Sequence, residues 1–282
     1  MTSATVAVGT RQIHVEEAGT GTPVLLLHGG GAGASGMSNY SRNVAALSRH
    51  FRVLVPDMPG YGRSTKGLDQ SDPFGDLAGG LLGLLEQIGV DRAHVVGNSL
   101  GGAAALRMAL EAPGRVGRLV LMGPGGIGTS RSVPTAGLRS LLGYYGGDGP
   151  SLAKLDTFIR QYLVFDGSTV SAELVRERYE ASVDPEAVAN PPLQRPKSLA
   201  VARRMDLLLD KRLPALQNPT LALWGADDKV NRPSGAIALQ KKMQRCDVHL
   251  FSRTGHWVQW EQADAFNSLV SSFLGVDESG TR

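Results

Sequence analysis

The chain has 282 residues, 42% of them hydrophobic and 20% charged, an ordinary globular composition with enough apolar mass for one large core or a core with an inserted subdomain. Lysine and arginine exceed aspartate and glutamate by only 29 to 26, and the basic residues are scattered, which describes a solvated mixed surface and argues against a nucleic-acid partner. Cys246 is the single cysteine, so an intrachain disulfide and a thiolate metal cluster are both excluded.

The first twenty residues lack the basic start and apolar block of a signal peptide, and no later apolar run has the length to span a bilayer. A cytoplasmic protein without membrane attachment is expected. Short apolar runs bounded by glycine or proline follow: PVLLLHG from Pro23, FRVLVPD from Phe51, AHVVGN from Ala93 and RLVLMGP from Arg118. Runs this short and continuous read as strands buried on both faces. Helical patterns lie between them, from Gly75 to Ile88 and from Gly101 to Ala112. From about Thr129 to Pro214 the rhythm breaks. Helical segments occur around Leu152 to Phe165 and Ser171 to Ser182, then a proline-rich joint, NPPLQRP, from Asn190. The alternation resumes with PTLALWG from Pro219, DVHLF from Asp247 and a helix over Ala263 to Phe273. Such alternation predicts an α/β fold with a mostly parallel central sheet flanked by helices. Residues 1–128 and 215–282 would form that core. Residues 129–214 would be a helical lid over the carboxyl edge of the sheet, where open parallel sheets place their ligand crevices. The tail VDESGTR after Gly275 is expected to fray.

Residues 96–102 read VGNSLGG. A strand that turns sharply into a helix strains the corner residue and leaves almost no room two positions to either side, and Gly97 and Gly101 provide that room. Ser99 would project from the tip of the turn. A serine hydroxyl needs a base to take its proton and an acid to orient that base. Of six histidines, His14 and His94 sit in strand-like segments and His50 and His249 flank strands. His256 instead follows a strand in a glycine-preceded loop, late in the chain. WGADDKV offers Asp227 and Asp228 after the strand from Pro219. The chain order of serine, aspartate and histidine is that of the α/β-hydrolase sheet. The glycine run HGGGAGASG from His28 lacks the spacing of a phosphate loop. It suits an oxyanion site, with the N–H of Gly30 or Gly31 joining that of Leu100.

In these segments the chain resembles the meta-cleavage-product hydrolases of the α/β-hydrolase superfamily, which break a carbon–carbon bond in ring-opened aromatic compounds. HGGGAGASGMSNYSRNV, DRAHVVGNSLGGAAALRMALEAP, RLVLMGPGG and GHWVQWEQADAFN carry the resemblance. It implies Ser99 as nucleophile, His256 as base and Asp228, the second acid of the pair, as its orienter. It further implies that Asn39 and Asn98 help bind the dienoate, that Trp257 packs on the substrate and that Arg178 in ELVRERYE receives its carboxylate through a fixed fork of donors. A shift of register would put Arg176 in that place. Ser168 is a further candidate for the polar part of the pocket.

The expected reaction cleaves the C5–C6 bond of a 2-hydroxy-6-oxo-6-substituted-hexa-2,4-dienoate, without cofactor or metal, by a homo-oligomer. The residues leave acyl-enzyme formation and direct attack by water equally open. A carboxylesterase is the rival reading, since the same three residues cleave esters. The C6 substituent is open between aryl, alkyl and steroid-derived groups, with the tryptophans of GHWVQW favouring an aryl ketone.

Overall fold

Eight strands make one sheet in the order β1-β2-β4-β3-β5-β6-β7-β8. They are β1 (Thr2–Val8), β2 (Arg11–Ala18), β3 (Pro23–Leu27), β4 (Arg52–Pro56), β5 (Ala93–Asn98), β6 (Val116–Met122), β7 (Thr220–Gly225) and β8 (Cys246–Phe251). From β4 to β8 every pairing is parallel, whereas β1 with β2 and β2 with β4 are antiparallel. The computed structural model describes residues 1–275, and the tail VDESGTR lies outside them. Two strands that no continuous apolar run announces precede Pro23. β1 is an edge strand with mostly exposed side chains, so it needs no continuous run of large apolar residues.

Alternate residues of each inner strand face opposite cores. Leu25, Leu27, Val95, Leu119 and Leu121 pack beneath the helices Pro73–Gln87 and Leu100–Glu111. Val24, Leu26, Val96, Val120 and Leu223 pack against Tyr40, Phe266 and Val270 on the other side. Each buried aliphatic chain contributes roughly 1.5–3 kcal/mol, so a sheet covered on both faces follows from the pattern of the runs. The helix Pro73–Gln87 starts where the sequence dictates: the Asp72 side chain accepts from the N–H of Gly75, and Pro73 fills the first turn.

Between β6 and β7 the described chain holds helical turns and no strand. The longer ones are Ala136–Leu142, Leu152–Thr157, Phe158–Leu163, Ala172–Ser182 and Leu199–Arg204. Phe158–Leu163 is a π-helical turn. Its Phe158, Ile159 and Leu163 form a third apolar cluster with Val175, Trp257 and Trp260, which seats this helical layer on the loop after β8.

Candidate active site

The strand-to-helix turn after β5 shows why glycines flank Ser99. A Cβ on Gly97 would lie 2.3 Å from the carbonyl oxygen of Gly101, and one on Gly101 would lie 2.3 Å from that of Leu27. Ser99 itself has φ 53°, a left-handed conformation that costs of order 1–3 kcal/mol. The turn holds it there: its N–H donates to Met122 at 2.8 Å, and its carbonyl accepts from Ala103 at 3.0 Å and from Gly125 at 2.8 Å. Its side chain makes no capping bond to the helix it precedes, so the hydroxyl is not spent on structure.

Asp228 and His256 come together from the loops after β7 and β8, with His256 Nδ1 2.7 Å from Asp228 Oδ2. The other carboxylate oxygen accepts from the N–H groups of Val230 and Asn231, both at 2.8 Å, which fixes the carboxyl plane. His256 Nε2 is buried and has no hydrogen-bond partner. Asp227 is exposed, and its backbone N–H donates to the Thr254 carbonyl of the His256 loop. Gly123, after β6, has φ 45°, and a Cβ there would lie 3.0 Å from Asp228 Oδ2 and 3.1 Å from His256 Nδ1. Glycine at this position of LMGPGG therefore lets β6 pass beside the pair.

The His256 loop is fastened from three sides. Its N–H donates to Leu163 in the π-helical turn at 2.8 Å. Its carbonyl accepts from Asn98 Nδ2 at 3.2 Å. Glu261 accepts from the N–H of Gly255 at 2.9 Å and from that of Phe165 at 2.7 Å, and burial raises the pKa of this carboxyl. The role of Glu261 is invisible in the sequence, because its partners lie on two separate loops.

The glycine loop follows β3. A Cβ on Gly30 would lie 3.1 Å from that of Leu100, whereas one on Gly31 would lie 2.6 Å from a terminal guanidinium nitrogen of Arg178. The two glycines thus face different groups. His28 is fully buried. Its Nε2 accepts from the N–H of Met58 at 2.9 Å, so the ring proton resides on Nδ1 and donates to the Gly29 carbonyl at 2.8 Å. Burial pushes its pKa down to about 4.

Arg178 is buried and Arg176 exposed, so of the two only Arg178 faces the interior. Arg178 Nε donates to the Ala32 carbonyl at 3.0 Å. Among the described residues no carboxylate pairs with Arg178, and the titratable groups around it are the phenols of Tyr61, Tyr144 and Tyr145 and the His28 ring. Burial lowers the Arg178 pKa to about 10, so it stays cationic at neutral pH. Such a buried, unpaired guanidinium is costly unless an anion completes the site. Asn39 is more heavily used than the sequence implies. Its Oδ1 accepts from Gly29 N–H at 3.3 Å and from Trp257 Nε1 at 3.2 Å, and its Nδ2 donates to Ser35 and Ser38. It joins the glycine loop to the His256 loop. Asn98 Nδ2 is likewise engaged, with Met122 and His256.

One expectation needs correction. Ser168 is exposed, and both its N–H and its hydroxyl bond Asp166 in a tight turn, so it does not line the pocket. The tryptophans stack on each other at 5.1 Å, with Arg178 5.8 Å from the Trp257 ring. Neither borders the apolar cavity beside Ser99. That cavity, of about 150 Å³, is lined by Leu138, Leu141, Leu142, Leu193 and Met205 with Phe74, Ser130 and Gln194, and by no charged side chain.

Residues 22–263 match the family model described as alpha/beta hydrolase fold. The chain is 38% identical over 270 residues to a 2-hydroxy-6-oxo-6-phenylhexa-2,4-dienoate hydrolase of Burkholderia cepacia, covering 93% of this chain and 91% of that one. It is equally similar, at 38% over 271 residues and the same coverage, to a 2-hydroxy-6-oxononadienedioate/2-hydroxy-6-oxononatrienedioate hydrolase of Comamonas testosteroni. Among solved structures it resembles a meta-cleavage product hydrolase from Pseudomonas fluorescens, with TM-score 0.85 and 32% identity over 96% of this chain and 97% of that one.

Proposed function

Since the chain belongs to the α/β-hydrolase family, in its meta-cleavage-product branch, we propose that it hydrolyses the C5–C6 bond of a 2-hydroxy-6-oxo-hexa-2,4-dienoate through Ser99, His256 and Asp228. The observation that carries this reading over a plain esterase is Arg178, a buried cation without a carboxylate partner near the glycine loop. A neutral ester gives it nothing to bind. A dienoate brings a carboxylate, and two charge-assisted bonds to the guanidinium anchor it.

Expelling carbon demands a stabilised leaving group. The 2-hydroxyl proton must first move to C5, which turns the dienol into a ketone. Attack on the C6 carbonyl then breaks C5–C6, and the electron pair passes into the enolate of the 2-oxo acid, which leaves as 2-hydroxypenta-2,4-dienoate; water supplies the remaining oxygen and protons. His256 Nε2 has no competing partner and suits both proton transfers, while Asp228 stabilises the imidazolium. The N–H groups of Leu100 and Gly30 would face the oxyanion and contribute a few kcal/mol. Anchoring at Arg178 then positions C6 over Ser99.

The helical layer 129–214 serves as the lid in this reading, and the leucine-lined cavity takes the C6 substituent. An apolar cavity of about 150 Å³ admits one benzene-sized group. The reading is therefore a compact uncharged substituent, single aryl or short alkyl, in preference to a steroid-derived one. A cytoplasmic home and self-association complete the proposal. No helix among the described residues is long and apolar enough to cross a membrane, and light scattering of the purified protein measures the assembly. The deciding experiment follows loss of the yellow colour of ring-opened dienoates differing only at C6. Failure to bleach any of them rejects the function.

A further inference from the structure

Three backbone groups at the start of the glycine loop are each held by a different side chain. Asn39 Oδ1 accepts from the Gly29 N–H at 3.3 Å, His28 Nδ1 donates to the Gly29 carbonyl at 2.8 Å, and the Tyr61 hydroxyl donates to the Gly30 carbonyl at 3.2 Å. In a trans peptide the carbonyl and the N–H that follows it point in opposite directions. Holding the Gly29 carbonyl therefore aims the Gly30 N–H, and holding the Gly30 carbonyl aims the Gly31 N–H. Neither N–H has a protein acceptor among the described residues. The two residues differ in what their α-carbons approach: a Cβ on Gly30 would meet Leu100 of the elbow, and one on Gly31 the Arg178 guanidinium.

We propose that Tyr61 is a positioning residue which, through the Gly30 carbonyl, presents the Gly31 N–H beside Arg178 as a second donor to the substrate carboxylate. This rests on the dienoate reading above. Gly30 is left to the oxyanion and Gly31 to the other end of the molecule, so two adjacent amides separate binding from chemistry. Tyr61 is built for the task. It is 4% exposed, its ring meets His28 edge-on at 5.0 Å, and its turn is closed by its own N–H to Met58 and by Ser64 N–H to its carbonyl, both at 3.0 Å. The same turn supplies the Met58 N–H that fixes His28, so one loop after β4 orients both amides.

Tyr61→Phe keeps the ring and its contact with His28 while removing the hydroxyl. The expected result is a KM for a 6-phenyl dienoate raised about tenfold, as for one lost hydrogen bond to a charged group, with kcat nearly unchanged and kcat/KM for a neutral phenyl ester unaltered. A double variant with Arg178→Gln should show no further loss from Tyr61→Phe, because both act on one carboxylate. Equal loss on dienoate and ester would make the hydroxyl merely structural and overturn the proposal. An unchanged KM would overturn it too. A wild-type protein that turns over the ester but no dienoate would remove the functional reading and this proposal together, whereas a failure confined to the variant's dienoate-to-ester ratio removes the proposal alone.

Discussion

His256 presents one ring nitrogen to Asp228 Oδ2 at 2.7 Å and keeps the other, Nε2, buried without a partner. An orphaned buried acceptor costs about 1–3 kcal/mol, and the natural explanation is a nitrogen reserved for a proton in transit. Ser99, the strained residue of the elbow, spends its hydroxyl on no helix cap.

Replacing either group should therefore cost activity without costing the fold. Ser99→Ala and His256→Ala are expected to lower kcat on a dienoate by at least about a thousandfold, and Asp228→Asn by a comparable factor through the wrong imidazole tautomer. Thermal melts should stay close to the wild type. Activity within tenfold of the wild type in Ser99→Ala would remove the nucleophile from the mechanism.

The two arginines of ELVRERYE separate by burial. Arg178→Gln should reduce kcat/KM for dienoates by roughly 30- to 5,000-fold, the equivalent of about 2–5 kcal/mol for a buried charged contact, and leave a neutral ester almost untouched. Arg176→Gln, on the exposed side of the same helix, should change neither. Steady-state kinetics on both substrates decide it.

Acid should weaken the fold through His28. Its folded pKa lies near 4 against an ordinary 6.5, so the unfolded chain binds more protons between those values and stability falls as pH drops from 6.5 towards 4. The full effect is of order 3 kcal/mol. Asp57 and Arg178 both face the ring and pull in opposite directions. Glu261, whose pKa is raised by burial, opposes the trend above 4.5, because its folded form holds a proton longer than its unfolded form. Urea midpoints measured across this range should slope less in His28→Gln than in the wild type; parallel slopes would clear His28 of the effect.

Gly33 has φ 65°, and a Cβ there would lie 1.8 Å from the Arg178 carbonyl oxygen. Gly33→Ala must displace the helix Ala172–Ser182, and with it the guanidinium. Stability should drop by about 1–3 kcal/mol, and the KM for dienoates should rise more than the KM for esters. Melting curves and the two KM values check this together.

The uncharged lining of the cavity beside Ser99 sets the last expectation. Dienoates with a carboxylate on the C6 substituent should be turned over at least about a hundredfold less efficiently than phenyl or alkyl ones, since nothing there compensates the desolvated charge. Leu138→Ala should widen acceptance towards bulkier apolar groups. Competition assays between paired substrates give the ratio directly.

The sequence alone determined the inner sheet and the elbow. Continuous apolar runs identify strands covered on both sides, and the strain at a strand-to-helix corner is a local matter that Gly97, Ser99 and Gly101 express within five residues. Chain order then narrowed the acid and the base to the loops where Asp228 and His256 occur. Tertiary structure alone decided the partners. It buried Arg178 and exposed Arg176, left Ser168 on the surface and engaged Asn39 with Trp257, 218 positions away. It also brought Tyr61 to the Gly30 carbonyl and Glu261 to two loops at once. The physical reason is range: backbone conformation follows from near neighbours and their sterics, whereas hydrogen bonds and burial depend on which distant segments the packed layers bring into contact.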